Sequence, residues 1–106
     1  MGDVATRKLL ENEKVVVWEL VLEPGESTGV HRHELDYVVH VIEGSTLLAT
    51  DGDGANPAEV TLRDGDTFCF SVADGIASSG GMRTTATHDA RNIGSCRYRE
   101  IMVEIK

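Results

Sequence analysis

From Lys14 onward, apolar residues recur at alternate positions in short runs, and turn-forming residues interrupt the runs at close intervals. A two-residue period places successive side chains on opposite faces of an extended strand. Val15 to Leu22 is the first such run, with Val16, Trp18, Leu20 and Leu22 on one face and Glu19 on the other; Pro24-Gly25-Glu26 breaks it. Tyr37 to Glu43 ends at Gly44, and Thr46 to Thr50 follows at once. Asp51-Gly52-Asp53-Gly54 predicts a tight turn, and Glu59 to Leu62 and Thr67 to Val72 flank another at Arg63-Asp64-Gly65-Asp66. Ala73 to Gly81 is rich in small residues and reads as a flexible loop. Met82 to Asn92 and Cys96 to Ile105 read as a final hairpin joined at Ile93-Gly94-Ser95, with Ile101, Val103 and Ile105 on one face of the last strand.

One segment departs from this period. Within Ala5 to Glu13, Thr6 is placed to cap a short helical turn carrying Leu9 and Leu10. The expected organisation is thus an N-terminal arm, residues 1–13, and one all-β domain, residues 14–106, of about eight strands. A sandwich, a jelly roll or an up-and-down barrel satisfies that spacing.

Composition narrows the partners rather than the fold. The 106 residues suffice for one domain, and 41% hydrophobic with 26% charged residues is ordinary for a globular chain. A net charge of −8 argues against a nucleic-acid partner, whose phosphates call for a basic surface, and against an anionic membrane. Met1 to Glu13 lacks the apolar run of an export signal, so the expected compartment is the cytoplasm. Cys69 and Cys96 are then expected to be reduced, as small buried hydrophobes.

The candidate chemistry lies in the histidines, of which there are four. His31 and His33 are spaced i, i+2, which in a strand puts both imidazoles on one face, about 6.5–7 Å apart along the backbone. Two such rings can reach one ion, although a His-X-His pair by itself also arises by chance on surfaces. A third ligand has to come from elsewhere in the fold, and His88 is the candidate. His40 has the opposite parity and reads as a packed or solvated side chain.

The spacing of Gly25, His31, His33 and Gly44, Gly-X5-His-X-His-X10-11-Gly, closely resembles the first conserved motif of the cupin superfamily. Gly65-Asp66 followed by Thr67-Phe68-Cys69-Phe70 resembles the opening of the second cupin motif, and His88 with Asn92 matches its His-X3-Asn ending. The resemblance spans Val15 to Ile105. It implies a cupin double-stranded β-helix, a jelly-roll barrel with a divalent transition metal (Fe, Mn, Ni or Zn) held by His31, His33 and His88 in its mouth. It also implies a homodimer, often with exchanged N-terminal strands. His-Arg-His-Glu-Leu-Asp-Tyr-Val-Val and the terminal Val-Glu-Ile-Lys look like the small cupins of β-alanine degradation, a group without a well-defined reaction.

Two positions depart from the pattern. Cupins usually carry a Glu ligand four residues after the second His, and Tyr37 stands there. Its parity matches that of the histidines, so the phenol is expected inside the barrel, lining the pocket, hydrogen-bonding a metal-bound water or serving as a proton donor, in preference to direct ligation, for which the metal would have to drive off its proton. Glu34 and Asp36 should face away, as should Arg32. In the second motif Ile76 occupies the expected His position and Ser71 the Pro position, and His88 stands twelve residues beyond Ile76. Ala73 to Gly81 then reads as an insertion near the mouth, a candidate lid. Arg83 and Arg91 are expected to pair with Asp89 or Glu100, or with a substrate carboxylate, and Trp18 and Phe70 to lie in the core.

Three neutral histidines with open coordination positions suit a metal-dependent oxygenase like the cupin-type thiol and diketone dioxygenases, acting on a small polar molecule. They equally suit a Lewis-acid isomerase or hydrolase, or a module that binds a small ligand or a metal without turnover.

Overall fold

The computed structural model describes residues 1–106 as eleven strands and no helix: β1 (Arg7–Glu11), β2 (Val15–Leu22), β3 (His31–Arg32), β4 (Asp36–Glu43), β5 (Ser45–Asp51), β6 (Ala58–Leu62), β7 (Thr67–Ala73), β8 (Ile76–Ser79), β9 (Met82–Thr85), β10 (Thr87–Asn92) and β11 (Tyr98–Ile105). They form two antiparallel sheets that face each other. The larger runs β1-β2-β11-β4-β7-β8-β9 and the smaller β3-β10-β5-β6. This is the double-stranded β-helix of the cupins. No helix is long and apolar enough to cross a membrane.

The interior follows the alternation along β2 and β4. Leu20 and Leu22 from β2, and Tyr37, Val39 and Val41 from β4, point inward and meet Leu47, Phe70, Tyr98 and Met102. Trp18 is only partly buried, packed against this cluster, with its indole N–H donating to Glu104 at 2.6 Å. Gly44 makes the corner between β4 and β5. A Cβ there would overlap the Leu62 carbonyl, so the close approach of β6 requires glycine. Asn92 stitches the barrel at its far end. Its side-chain amide donates to the carbonyls of Leu22 and Cys96 at 2.9 and 2.8 Å, and its Oδ1 accepts from the Ser45 hydroxyl and the Gly94 N–H at 2.8 and 3.0 Å.

The structure corrects several sequence expectations. The segment expected as a helical turn is β1, which pairs with β2 in the register Arg7 to Glu19 and Leu10 to Val17; the Arg7–Glu19 ion pair at 2.9 Å holds the two strands together. Ala73 to Gly81 is not an open loop: it holds the end of β7, the whole of β8 and the turns on either side. Asp74 and Gly75, both at positive φ, form the two-residue connection between β7 and β8, and Gly80-Gly81 connects β8 to β9. Such Asp-Gly and Gly-Gly connections match the right-handed twist of their strands.

β10 and β11 do not form a hairpin. β10 pairs with β3 and β5 in one sheet, and β11 with β2 and β4 in the other, so the Ile93-Gly94-Ser95 connection crosses between sheets. Along β11 the inward face is Tyr98, Glu100, Met102 and Glu104, and Ile101, Val103 and Ile105 face outward. Both cysteines are free and exposed, because Cys69 lies on the outer face of β7 and Cys96 in the crossing segment. With these strands added, the count is eleven rather than about eight.

Candidate metal centre

β3 brings His31 into the barrel, and a backbone hydrogen bond from His33 N–H to the Ala86 carbonyl at 2.9 Å carries the same parity one residue pair further. His31 is directly opposite His88 of β10 in the strand register. The three imidazoles converge: ring centroids are 5.0 Å apart for His31–His33, 4.6 Å for His31–His88 and 5.0 Å for His33–His88. A nitrogen from each lies within 4.8 Å of the others, close enough for one ion to be shared among them. The structure thus assembles the three residues named from the sequence, across two non-adjacent parts of the chain.

The protonation chemistry fits a metal. His31 Nδ1 lies 2.9 Å from the Gly29 carbonyl, and His88 Nδ1 lies 2.7 Å from the Thr85 carbonyl. A carbonyl oxygen can only accept, so both Nδ1 atoms carry the hydrogen and both Nε2 atoms keep a free lone pair. His33 Nδ1 is buried with no protein partner, so nothing in the chain ties up that ring. Burial pushes all three below the usual imidazole range, His33 to about 3 and His88 to about 4, and for His33 and His88 the neighbouring histidines add to the effect. All three are therefore neutral at pH 7, the form that ligates.

Tyr37 occupies the position of the usual glutamate. Its ring stacks on His33 with centroids 4.0 Å apart and planes inclined by 15°, and Phe70 stacks on its other face at 4.9 Å. Burial, together with Glu100 and Glu104, pushes the phenol above its ordinary range, so it keeps its proton. Glu34 and Asp36 face away, as expected: Glu34 pairs with Arg32 at 2.9 Å on the surface, and Asp36 accepts from the Val72 N–H. His40 lies exposed, 2.7 Å from the Thr67 hydroxyl.

The centre opens into a cavity of about 620 Å³. Leu20, Val39, Leu47, Val60, Phe70 and Met102 make its walls apolar. The edge strands β6 and β9 border its opening, where the exposed Glu59 and Arg83 line it. Arg83 makes no ion pair, and Arg91 instead donates to the Gly25 carbonyl at 2.8 Å. The expected pairing with Glu100 fails because that carboxyl is buried inside the barrel. Asp51 and Glu100 line the cavity, a placement the sequence did not indicate. The Asp51 carboxylate accepts from Asn56 at 2.7 Å and from Thr85 at 3.0 Å, beside His88 in the register.

Comparison with solved structures agrees with this architecture. The chain is similar to a cupin domain from Bordetella pertussis Tohama I, with 27% identity, a TM-score of 0.73, and coverage of 99% of this chain and 94% of that one. It is similar in fold to the polyketide cyclase RemF from Streptomyces resistomycificus (20% identity, TM-score 0.58, 93% of this chain and 62% of that one). A sugar phosphate isomerase of the cupin superfamily from Silicibacter pomeroyi shares it too (23% identity, TM-score 0.57, 89% and 52%). The chain spans about half to two thirds of those last two proteins. No protein-family model matches the chain, and no curated protein matches it in sequence. The chain thus has the cupin fold and carries a three-histidine cluster able to hold a metal.

Proposed function

We propose that this cupin is a metal-dependent enzyme, with His31, His33 and His88 holding a divalent transition ion and a small, largely apolar molecule reaching it through oxygen. The observation that carries this reading is the convergence of three neutral imidazoles on the wall of an apolar cavity. The lining shifts the expected ligand from a small polar molecule to one with an apolar body and polar ends. When bound, the ion supplies Lewis acidity toward an oxygen ligand or, as iron, a place for oxygen. Tyr37, held between His33 and Phe70, presents a protonated hydroxyl as hydrogen-bond donor and proton source. The apolar walls exclude water, and the unpaired Arg83 at the opening suits an anionic group on the ligand.

Of the candidate reactions, oxygenation of a chelating diketone or thiol suits the site best, because the cluster that converges on one point is all histidine and contains no carboxylate. The likeness of the His31–Val39 stretch to cupins of β-alanine degradation adds a scaffold and no reaction. Iron-loaded protein should consume oxygen with an apolar β-diketone or thiol, and His31→Ala should abolish it. Binding of such ligands without turnover under any of the four metals would leave a non-catalytic binding module.

We also propose that the chain is a homodimer through the outer face of the larger sheet. Leu10, Val17, Val103, Val38 and Cys69 are successive cross-strand neighbours over five strands, and Val15 and Ile105 flank them. An unbroken apolar row on an outer face favours a self-complementary contact.

A further inference from the structure

The inner part of the cavity holds a group that the metal centre does not use. Glu100 projects from β11 into the barrel and lines the same cavity as the histidines. Its Oε1 accepts the Tyr98 hydroxyl at 2.7 Å, whereas Oε2 is buried with no hydrogen-bond partner. Cores rarely tolerate an unpaired carboxyl oxygen, and an apolar residue at this position would remove the penalty.

The register separates the Glu100 backbone from the metal site along the strands. Glu100 pairs with Val41 and Leu20, and Val41 is four residues along β4 from Tyr37, whose ring stacks on His33. Four residues of strand put the two backbones about 13 Å apart, although the carboxyl still reaches close enough to raise the Tyr37 phenol. Between the two ends the interior carries Val39 and Met102, which are apolar. No arginine or lysine bonds to the carboxyl: the adjacent Arg99 faces outward and pairs with Glu19 at 2.7 Å.

We propose that Glu100 is a specificity-determining residue, forming a polar subsite at the inner end of the cavity for the neutral hydroxyl group of an otherwise apolar ligand. Burial, against the opposing pull of the Tyr98 hydrogen bond, raises this carboxyl to about 7, so near neutrality it is substantially protonated. A protonated acid can both donate and accept, as a hydroxyl can. A hydrocarbon end leaves Oε2 unpaired, and a carboxylate end meets a site with no cation. The inference rests on the cavity being the ligand chamber of the metal centre, but it requires no ion.

The test compares 4-propylphenol with propylbenzene, titrated into wild type, Glu100→Gln and Glu100→Leu and followed by calorimetry and ¹H–¹⁵N spectra. Wild type should bind the phenol about fivefold more tightly. Glu100→Gln should keep the preference, and Glu100→Leu should lose it while binding propylbenzene at least as well. The ¹³C shift of the Glu100 carboxyl in wild type gives a reading independent of how the variants fold. It should move with the phenol and not with the hydrocarbon. No binding of either probe, no phenol preference in wild type, an unmoved carboxyl, or a preference unchanged in a folded Glu100→Leu would overturn the proposal. Failure of the metal reading would appear separately, as absent metal uptake, and would leave the phenol preference intact.

Discussion

The imidazole of His33 lies nearly flat on the phenol of Tyr37, 4.0 Å between centroids and 15° between planes. This stack joins the histidine cluster to the core through Phe70, and under the proposed function Tyr37 has two separable roles, a ring that orients His33 and a hydroxyl that supplies a proton. Tyr37→Phe keeps the first and removes the second. Its metal affinity should match wild type, whereas turnover should fall by about 10²-fold or more. A matching loss of metal affinity, measured by competition with a chromogenic chelator, would instead make the phenol a ligand.

Asn92 is completely buried and its side-chain amide is fully engaged in four hydrogen bonds. Asn92→Ala leaves the Leu22 and Cys96 carbonyls and the Ser45 hydroxyl without their partner. A destabilisation of about 3 kcal/mol is expected by urea denaturation. A loss below about 0.5 kcal/mol, the ordinary size for a surface substitution, would contradict the stitching role. The role of Asn92 is structural, although it stands four positions from His88.

Glu100 makes stability depend on pH in a direction opposite to most carboxylates. Its folded value, about 7, lies above its unfolded value of 4.5, so the native state retains a proton that the unfolded chain releases. Its contribution is therefore full below about pH 4.5, declines as pH rises to about 7, and levels off beyond, a change of roughly 3 kcal/mol. Glu100→Gln should lack this decline. Chemical denaturation of the two proteins from pH 5 to pH 8 measures the difference, and parallel curves would count against it.

The apolar row on the outer sheet gives a prediction about assembly. Val103 sits at its centre, between Val17 and Val38. Val103→Lys should convert a dimer to a folded monomer in sedimentation velocity. A wild-type protein that sediments as a monomer at tens of micromolar, about the weak limit for such a contact, removes the proposal.

Some of this was legible in the sequence. The parity of His31, His33 and Tyr37 depends only on the two-residue period of the local chain, and the Gly25–Gly44 spacing pointed to the corner that Gly44 makes. His88 was reachable through its motif, because nothing local says that β10 lies opposite β3. Glu100 and Glu104 were not reachable. Alternation in β11 marks two faces without saying which is inside, and the apolar face of Ile101, Val103 and Ile105 is the outer surface. The same ambiguity misplaced Cys69, whose cross-strand neighbour Val38 is on that outer face. The hairpins of β7, β8 and β9 were hidden by their small residues, although Asp74-Gly75 and Gly80-Gly81 are strong two-residue turns.

The central claim is that His31, His33 and His88 form one metal site. Metal content of tag-free protein, purified, stripped and reloaded with Zn(II) or Fe(II), then measured by plasma mass spectrometry, tests it most directly. The account predicts one ion per chain in wild type and loss of that ion in His31→Ala and His88→Ala, with both variants still folded. Wild type that retains well under one ion per chain, or an ion content unchanged in both variants, would contradict it.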